Sequence, residues 1–247
     1  MRYFVELAYN GTPFFGWQYQ PEQITVQEVL EGTFSLLLKN KIELVGCGRT
    51  DAGVHAKQYF AHFDFDDLLS ENYCNKLQYK LNSLLPKEIV IHRIFQVEDD
   101  LHARFNALDR TYKYYVAISK NPFHFPFTYR VYEKLDANVM NLAANFLLGS
   151  QDFTSFSKLH TNVNNNFCEI KAAYWEQQEK QLVFTITANR FLRNMVRAIV
   201  GTLLFVGKGK ISVADFQSII LQKNRCEAKV SAPAHALFLE EVNYNFK

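Results

Sequence analysis

Hydrophobic and polar positions in the first half of the chain predict a regular succession of strands and helices. Residues 2–9 alternate and are rich in aromatic and aliphatic side chains, which is typical of a strand. Thr25 and Glu28 have the spacing of a capping box, and the apolar stripe that follows predicts an amphipathic helix. Two strands, a helix ended by Pro86 and one more strand are then predicted at 42–47, 55–65, 71–84 and 88–97.

The second half repeats this order. The pattern predicts a strand at 111–118, a helix at 137–148 capped by Asp136, and strands at 168–177 and 182–188. A strongly patterned helix follows, with apolar residues at helical spacing from Leu192 to Leu204. Ser212 opens a further short helix, and residues 236–244 are predicted to form the closing strand.

Each half therefore has the order of a split β-α-β, or ferredoxin-like, unit, in which helices cover one face of an antiparallel sheet. We expect an α+β fold with an N-terminal half at 1–108 and a C-terminal half at 109–247, their sheets joined around a central cleft. A single unbroken α+β domain is the alternative.

Composition indicates a soluble globular protein, with 48% hydrophobic and 21% charged residues. Its 22 Phe and 13 Tyr mostly suit a core, although some could stack on nucleic-acid bases. The net charge of +2 does not by itself indicate a nucleic-acid partner. Residues 189–210, however, contain basic side chains and no acidic one. That run is either a phosphate-binding face or a solvated helix flank, and it contains Arg190, Arg193, Arg197, Lys208 and Lys210.

The four cysteines are scattered and form no C-x-x-C pair, which argues against a zinc site and suits a reducing cytosol. The N-terminus lacks the apolar core of a signal peptide. No apolar stretch approaches the roughly 20 residues that span a bilayer. We therefore expect a cytoplasmic protein without a membrane anchor or a bound metal.

Residues 46–55 carry the strongest candidate chemistry. Glycines let this backbone turn sharply and approach another molecule closely, and the small residues Ala52 and Gly53 leave the Asp51 carboxylate unobstructed. Arg49 and His55 beside it can form hydrogen bonds or bind an anion. The alternative is a tight turn in which Asp51 only accepts hydrogen bonds from backbone donors.

The segment GRTDAGVHA at 48–56 resembles the active-site motif of the TruA-type tRNA pseudouridine synthases. Other segments similar to that family's motifs follow in the same order and cover nearly the whole chain: YNGT at 9–12, FGWQ at 15–18, HARFNA at 102–107, RTYKY at 110–114, QDFTSF at 151–156, RFL at 190–192, MVR at 195–197 and APA at 232–234. The chain departs from the family in two places. Ala236 stands where a Gly usually precedes Leu237, and CEIK at 168–171 lacks an arginine often found there.

The resemblance implies the pseudouridine synthase fold and a cofactor-independent reaction in which Asp51 is the nucleophile. It implies that Arg197 forms an ion pair with Asp51, because a carboxylate in a dry pocket stays ionised only with a cation nearby. It also implies that Tyr112 lies against the uracil and is a candidate base for the final deprotonation. We expect His55 and Leu237 to contact the substrate as well. Whether Asp51 attacks C1′ of the sugar or C6 of the base, or acts through a glycal, stays open.

The family's substrates are uridines at positions 38, 39 and 40 of the tRNA anticodon stem-loop, and its members work as homodimers. We expect the target base to be flipped out of its stack, at a cost of roughly a few kcal/mol. Arg49 is expected to bind a phosphate or to prop the opened stem. The RNA backbone is assigned to basic residues of the 190–210 run: Arg190, Arg193, Lys208 and Lys210.

Two other functions fit parts of the sequence. A non-catalytic RNA-binding protein of the same fold would not need an unobstructed carboxylate that faces RNA. A nucleoside or glycoside hydrolase could use Asp51 as its nucleophile, but that chemistry usually needs a second carboxylate as general acid, and none stands out. Both alternatives rank below the isomerase.

Overall fold

Residues 1–108 fold in the predicted β-α-β-β-α-β order. The computed structural model describes residues 1–158 and 165–246. The elements of this part are β1 (Arg2–Tyr9), α1 (Val26–Leu38), β2 (Val45–Gly46), β3 (His55–Asp64), α2 (Glu71–Leu84) and β4 (Ile89–Val97). Strand β1 pairs antiparallel with both β3 and β4, and β2 pairs with the end of β3. This is the strand order of a split β-α-β unit.

The helices begin where the sequence predicts them. The Thr25 hydroxyl accepts a hydrogen bond from the Glu28 N–H, and Ser70 caps α2 in the same way. Each helix buries an apolar stripe, and the buried residues are Val26, Leu30, Phe34 and Leu38 in α1 and Cys74, Leu77 and Leu81 in α2. The cap predicted at Thr25 and the apolar stripe predicted for α1 are thus present, and α2 covers the predicted residues 71–84.

The strand predicted at 42–47 shortens to the two residues of β2. Ile42 and Leu44 are buried as their apolar character requires, but α1 side chains bind their backbone donors. The Ile42 N–H donates to Ser35 Oγ, and the Leu44 N–H donates to Glu31 Oε1. Because these donors are already satisfied, the segment packs without joining the sheet.

The residues from Leu239 onward lie in the first compact unit together with Met1–Leu108, and Asp109–Phe238 form the second unit. The N-terminal half predicted at 1–108 therefore omits the C-terminal segment, from Leu239 onward, that belongs to the same compact unit. Aromatic contacts explain the placement, since the rings of Tyr244 and Phe246 lie 5.4 and 5.9 Å from that of Phe4. Such pairs form where large aromatic surfaces leave water together.

The second half contains β5 (Asp109–Ala117), β6 (Tyr129–Arg130), α3 (Ala137–Ala144), β7 (Gly149–Asp152), β8 (Phe167–Gln178), β9 (Gln181–Ala188), α4 (Met195–Gly207), α5 (Val213–Gln222) and β10 (Leu237–Asn243). Strands β5, β9, β8 and β7 are neighbours in that order and antiparallel, and β6 adds parallel to β5. Neither β6 nor β7 was apparent from the hydrophobic pattern. The predicted α+β class with antiparallel sheets is confirmed in both units.

Two helix predictions in this unit need correction. Asp136 caps α3 as predicted, but the helix ends at Ala144 and continues only as the 3₁₀ turn Asn145–Leu147. Helix α4 begins at Met195 and not at Leu192, because Asn194 takes a left-handed conformation with φ of 64°. No helix in the described parts of the chain combines the length and apolarity needed to cross a membrane.

Candidate active site

The residues of the predicted catalytic motif lie in the loop between β2 and β3. We call residues 47–54 the Asp51 loop. Arg49 and Ala52 are exposed, and Asp51 is half-buried. The backbone of a second loop, residues 11–17, supports it from one side. The Trp17 N–H donates to Thr50 O over 3.3 Å, and the Gly53 N–H donates to Phe14 O over 3.3 Å.

Two glycines of the second loop make this close approach possible. A Cβ at Gly11 would lie 2.0 Å from Val54 O, and a Cβ at Gly16 would lie 2.5 Å from Thr50 O. Gly16 also has a φ of +88°, in the left-handed region that favours glycine. Any larger residue at either position would push the two loops apart, so the glycines set the position of the Asp51 backbone.

Aromatic side chains support the Asp51 loop from inside the unit. The rings of Trp17 and Tyr59 stack with centroids 4.1 Å apart. The Tyr59 hydroxyl donates to Gly48 O over 2.5 Å, and the Tyr9 hydroxyl and Thr50 Oγ1 are 2.9 Å apart. Hydrogen bonds to Gly48 and Thr50, just before Asp51, therefore hold this loop on buried aromatic residues.

His55 links the two loops. It is only 1% exposed, and its Nδ1 accepts a hydrogen bond of 3.0 Å from the Gly11 N–H. An accepting Nδ1 places the proton of a neutral imidazole on Nε2. The structure thus gives His55 a buried position between the two loops, and its contact with substrate stays a prediction.

We expect Gly11→Ala to lower both stability and activity. Its Cβ would meet the Val54 carbonyl, a backbone atom that cannot swing aside, so the loops must separate at a cost of about 1–3 kcal/mol. Urea unfolding and turnover measure the two losses. Gly32→Ala in α1 is the matched control: nothing lies within 4 Å of its added Cβ, and we expect unchanged or slightly higher stability. Equal stability of the two variants would contradict the packing argument.

In the second unit, Arg197 is held by residues 230–233, which we call the strap. Arg197 lies in the first turn of α4 and is half-buried. Its Nε donates to Ala232 O over 2.8 Å, and the Ala232 N–H donates back to Arg197 O over 2.9 Å. Gly201 lets the strap approach, because a Cβ there would lie 2.0 Å from Val230 O. The guanidinium is thereby fixed at its Nε.

Tyr112 and Tyr114 lie on one face of β5, since side chains two residues apart on a strand point the same way. Tyr112 is half-buried, and its ring meets that of Phe191 edge-on at 5.1 Å. Tyr114 is fully buried and its hydroxyl donates to Pro233 O over 2.9 Å. Burial raises the pKa of Tyr114 far above its usual range, so this phenol stays a donor to the strap.

Leu237 follows the strap through the 3₁₀ turn Ala234–Ala236 and is the first residue of β10. Its side chain is 5% exposed. Ala236, the departure from the family pattern, is buried in this turn and has no positive φ. Its Cβ therefore brings no backbone strain. In the second unit, Arg197 and Tyr114 are thus both bonded to the strap, and Leu237 lies four residues beyond it.

The predicted RNA-binding residues do not form a single face. Arg190 and Arg193 precede α4, so their helical spacing with Arg197 does not exist. Lys208 follows the end of α4, about 20 Å from its start at 1.5 Å per residue. Lys208 and Lys210 lie 2.9 and 3.8 Å from the Glu133 carboxylate. The acid-free run in sequence thus acquires an acidic neighbour in the fold, and the contact of these lysines with RNA stays a prediction.

Arg193 is exposed and Arg190 is half-buried, with its Nη1 3.5 Å from Asn165 Oδ1. These two remain available as cationic side chains beside the start of α4. Within the described residues, no group of three or more His, Cys, Asp and Glu side chains is arranged to hold a metal ion.

The supporting residues were missed at the level of sequence. Gly11, Gly16 and the strap appeared only as parts of motifs, without a role. Two glycines within one short loop, Gly11 and Gly16, were a usable signal, since such glycines often mark close backbone approach. What they approach could not be read from the sequence.

Comparisons with known proteins find relatives over nearly the whole chain. A family model described as tRNA pseudouridine synthase matches residues 143–245. The chain is 52% identical to the tRNA pseudouridine synthase A of Bacteroides fragilis, over 98% of this chain and 96% of that protein. It is 53% identical to the protein of that name from Bacteroides thetaiotaomicron, over 98% and 90%. For Parabacteroides distasonis the identity is 50%, over 98% and 96%.

Proposed function

This chain belongs to the tRNA pseudouridine synthase A family, and from that premise we propose that Asp51 is the nucleophile with which it isomerises uridine in transfer RNA to pseudouridine. The observation that carries the assignment is the construction of the Asp51 loop. Its backbone is fixed by contacts that only Gly11 and Gly16 permit, while Asp51 itself stays partly accessible. A rigid loop that presents a carboxylate is what covalent catalysis needs.

The reaction breaks the bond between N1 of uracil and C1′, turns the base, and joins its C5 to C1′. A proton leaves C5 and one is gained at N1, so atoms and electrons balance within the nucleotide. A carboxylate can form a covalent intermediate with an electron-poor carbon, and this intermediate persists while the base turns. The target nucleotide has to leave its stack first, because no side chain reaches these atoms inside a helix.

Arg197 supplies the positive charge that keeps the nucleophile ionised when the site closes over substrate. A carboxylate withdrawn from water otherwise favours its neutral form, and a guanidinium opposes this. The bond from Arg197 Nε to Ala232 O supports this role, because it orients the guanidinium plane in advance.

Tyr112 lies against the flipped uracil and accepts the C5 proton in the last step. Its ring is half-buried and meets that of Phe191 at nearly a right angle. A phenol combines a flat face with a polar tip that exchanges protons. Leu237 closes the other side of the base, and its buried side chain suits an apolar wall.

The finer assignments concern the RNA. We place the target uridines at positions 38, 39 and 40 of the anticodon stem-loop, with Arg49, Arg190 and Arg193 on phosphates. Exposed guanidinium groups bind phosphate well, and such contacts position the RNA without reading its sequence. The enzyme acts as a homodimer in the cytoplasm, and one tRNA contacts both subunits.

Mapping tests this assignment directly. Purified protein is incubated with unmodified tRNA transcripts and no added cofactor, and pseudouridines are located by carbodiimide labelling and primer extension. We expect modification at positions 38–40 where these are uridines. Modification only outside the anticodon stem-loop would overturn the site assignment, and release of free uracil would identify a hydrolase.

A further inference from the structure

We propose that Phe15, four residues before the exposed Tyr19, is a platform on which a base next to the target uridine stacks. This inference rests on the proposed function and adds the residue that receives the neighbouring nucleotide. It starts from the motif FGWQ at 15–18, in which Gly16 and Trp17 support the Asp51 loop but the side chain of Phe15 has no role so far. It also starts from the loop of residues 11–17 that supports the Asp51 loop.

Phe15 lies between two residues whose backbones contact the Asp51 loop. Phe14 O accepts a hydrogen bond from the Gly53 N–H, and a Cβ on Gly16 would lie 3.2 Å from the carbonyl carbon of Asp51. Phe15 therefore directly precedes Gly16, the residue whose backbone packs against that of Asp51. Nucleotides adjacent to one bound at Asp51 pass close to this loop.

The backbone around Phe15 is held by hydrogen bonds, whereas its side chain stays partly in water. The Phe15 N–H donates to Ile24 O over 2.9 Å, and Phe15 O accepts from Gln20 Nε2 over 2.8 Å. The next two residues tie this loop to α1. The Phe15 side chain is nevertheless 48% exposed, whereas Phe14 and Trp17 are 5% and 3% exposed. A rigid backbone that holds an aromatic ring in water is preorganised for binding.

The surroundings of Phe15 suit an RNA base. Tyr19 is 54% exposed and is held by the bond from its N–H to Gln27 Oε1. Gln18 and Arg49, both exposed, supply an amide and a guanidinium. Aromatic rings, amides and arginine are the groups that bind unstacked bases and their edges. Of the exposed side chains in 12–24, only Glu22 is acidic.

The reaction itself creates a demand for such a platform. When the target nucleotide flips out, its neighbours lose a stacking partner, at roughly a few kcal/mol. An aromatic ring beside the nucleophile returns part of this energy. Because the ring has no sequence preference, it would serve each of several neighbouring target uridines.

The test is a cycle between protein and RNA. The modified uridine is first mapped with the wild-type enzyme, and matched RNAs then carry either the natural base or an abasic site at the 5′ or the 3′ neighbour. We expect Phe15→Ala to weaken RNA affinity and kcat/KM on natural RNA by about 5- to 100-fold, the range for one stacked base. Phe15→Trp should stay within about threefold of wild type, and Phe15→Leu should resemble Phe15→Ala. On RNA abasic at the stacked neighbour, Phe15→Ala should cost no more than about twofold.

Tyr79→Ala is the matched control, because Tyr79 is 75% exposed on α2 and α2 packs against β4. We expect wild-type affinity and turnover from it, with thermal unfolding checked for every variant. A Phe15→Ala enzyme that matches Tyr79→Ala, or an equal loss on natural and abasic RNA, would refute the platform. RNA affinity is also measured with Asp51→Asn as the parent, so failure of the nucleophile assignment leaves the stacking result readable.

Discussion

Asp51→Asn is expected to bind tRNA nearly as tightly as wild type and to form no pseudouridine. The carboxamide has the size of the carboxylate but cannot act as a nucleophile, so turnover should fall by at least about 10⁴-fold. The loop should survive the change, because the bonds that hold it run through Trp17, Gly53 and Tyr59. Tritium release from [5-³H]uridine tRNA measures turnover, and filter binding measures affinity.

Asp66→Asn is the control for the nucleophile variant. Asp66 is an exposed carboxylate of the same unit, two residues beyond β3 and without a part in the Asp51 loop. It undergoes the same chemical change and should keep full activity. Turnover by Asp51→Asn within tenfold of this control would remove Asp51 from the nucleophile role, and joint loss of tRNA binding and turnover would assign it a structural one.

The local part of the fold could be predicted from the sequence. Helix α2 covers the predicted residues 71–84, just before Pro86, and Asp136 caps α3 as predicted. These features depend on neighbours within a few residues, which the sequence displays directly. The nucleophile candidate could be found in the same way, since its motif is one continuous segment.

The parts that failed depend on contacts between distant residues. Residues 42–44 look like a strand, but Ser35 and Glu31 of α1 occupy their donors. Lys208 looks free of acids until Glu133, 75 residues earlier, lies beside it. The periodicity from Leu192 to Leu204 looked like one helix, yet the left-handed Asn194 breaks it and directs Nδ2 to Ser231. Tertiary partners overrode the local pattern in each case.

The candidate site likewise combines motifs that the sequence displays with contacts between distant residues that it does not. Motifs identified Asp51, Tyr112 and Arg197 as candidates, but the backbone of Asp51 is positioned by glycines and Arg197 is held by backbone atoms of the strap. Backbone contacts of this sort leave a weak trace in sequence, since a glycine is all that marks them. The candidate residues could therefore be named from the sequence, and the contacts that position them could not.

Arg197→Lys is expected to lose turnover by about 10²-fold or more while tRNA affinity changes little, since misplacing a charge by about 1 Å can cost that much. Arg197 Nε donates to Ala232 O, so the nitrogen that holds the strap is distinct from the two terminal nitrogens of the guanidinium. A lysine has only one nitrogen at the tip of its chain, so it cannot hold the strap and face the carboxylate together. Single-turnover rates at saturating enzyme separate this loss from weakened binding.

Loosening of the strap is the rival explanation, and Arg225→Lys isolates it. Arg225 donates to Ala228 O over 3.4 Å and to Ser231 Oγ over 3.1 Å, so it also holds the strap but has no proposed role with substrate. We expect this variant to turn over within about threefold of wild type, because a strap bound to Tyr114, Asn194 and Arg197 tolerates losing one half-buried anchor. Equal losses in the two variants would make Arg197 a residue that positions the strap, whereas a loss confined to Arg197→Lys requires its charge at the reacting centre.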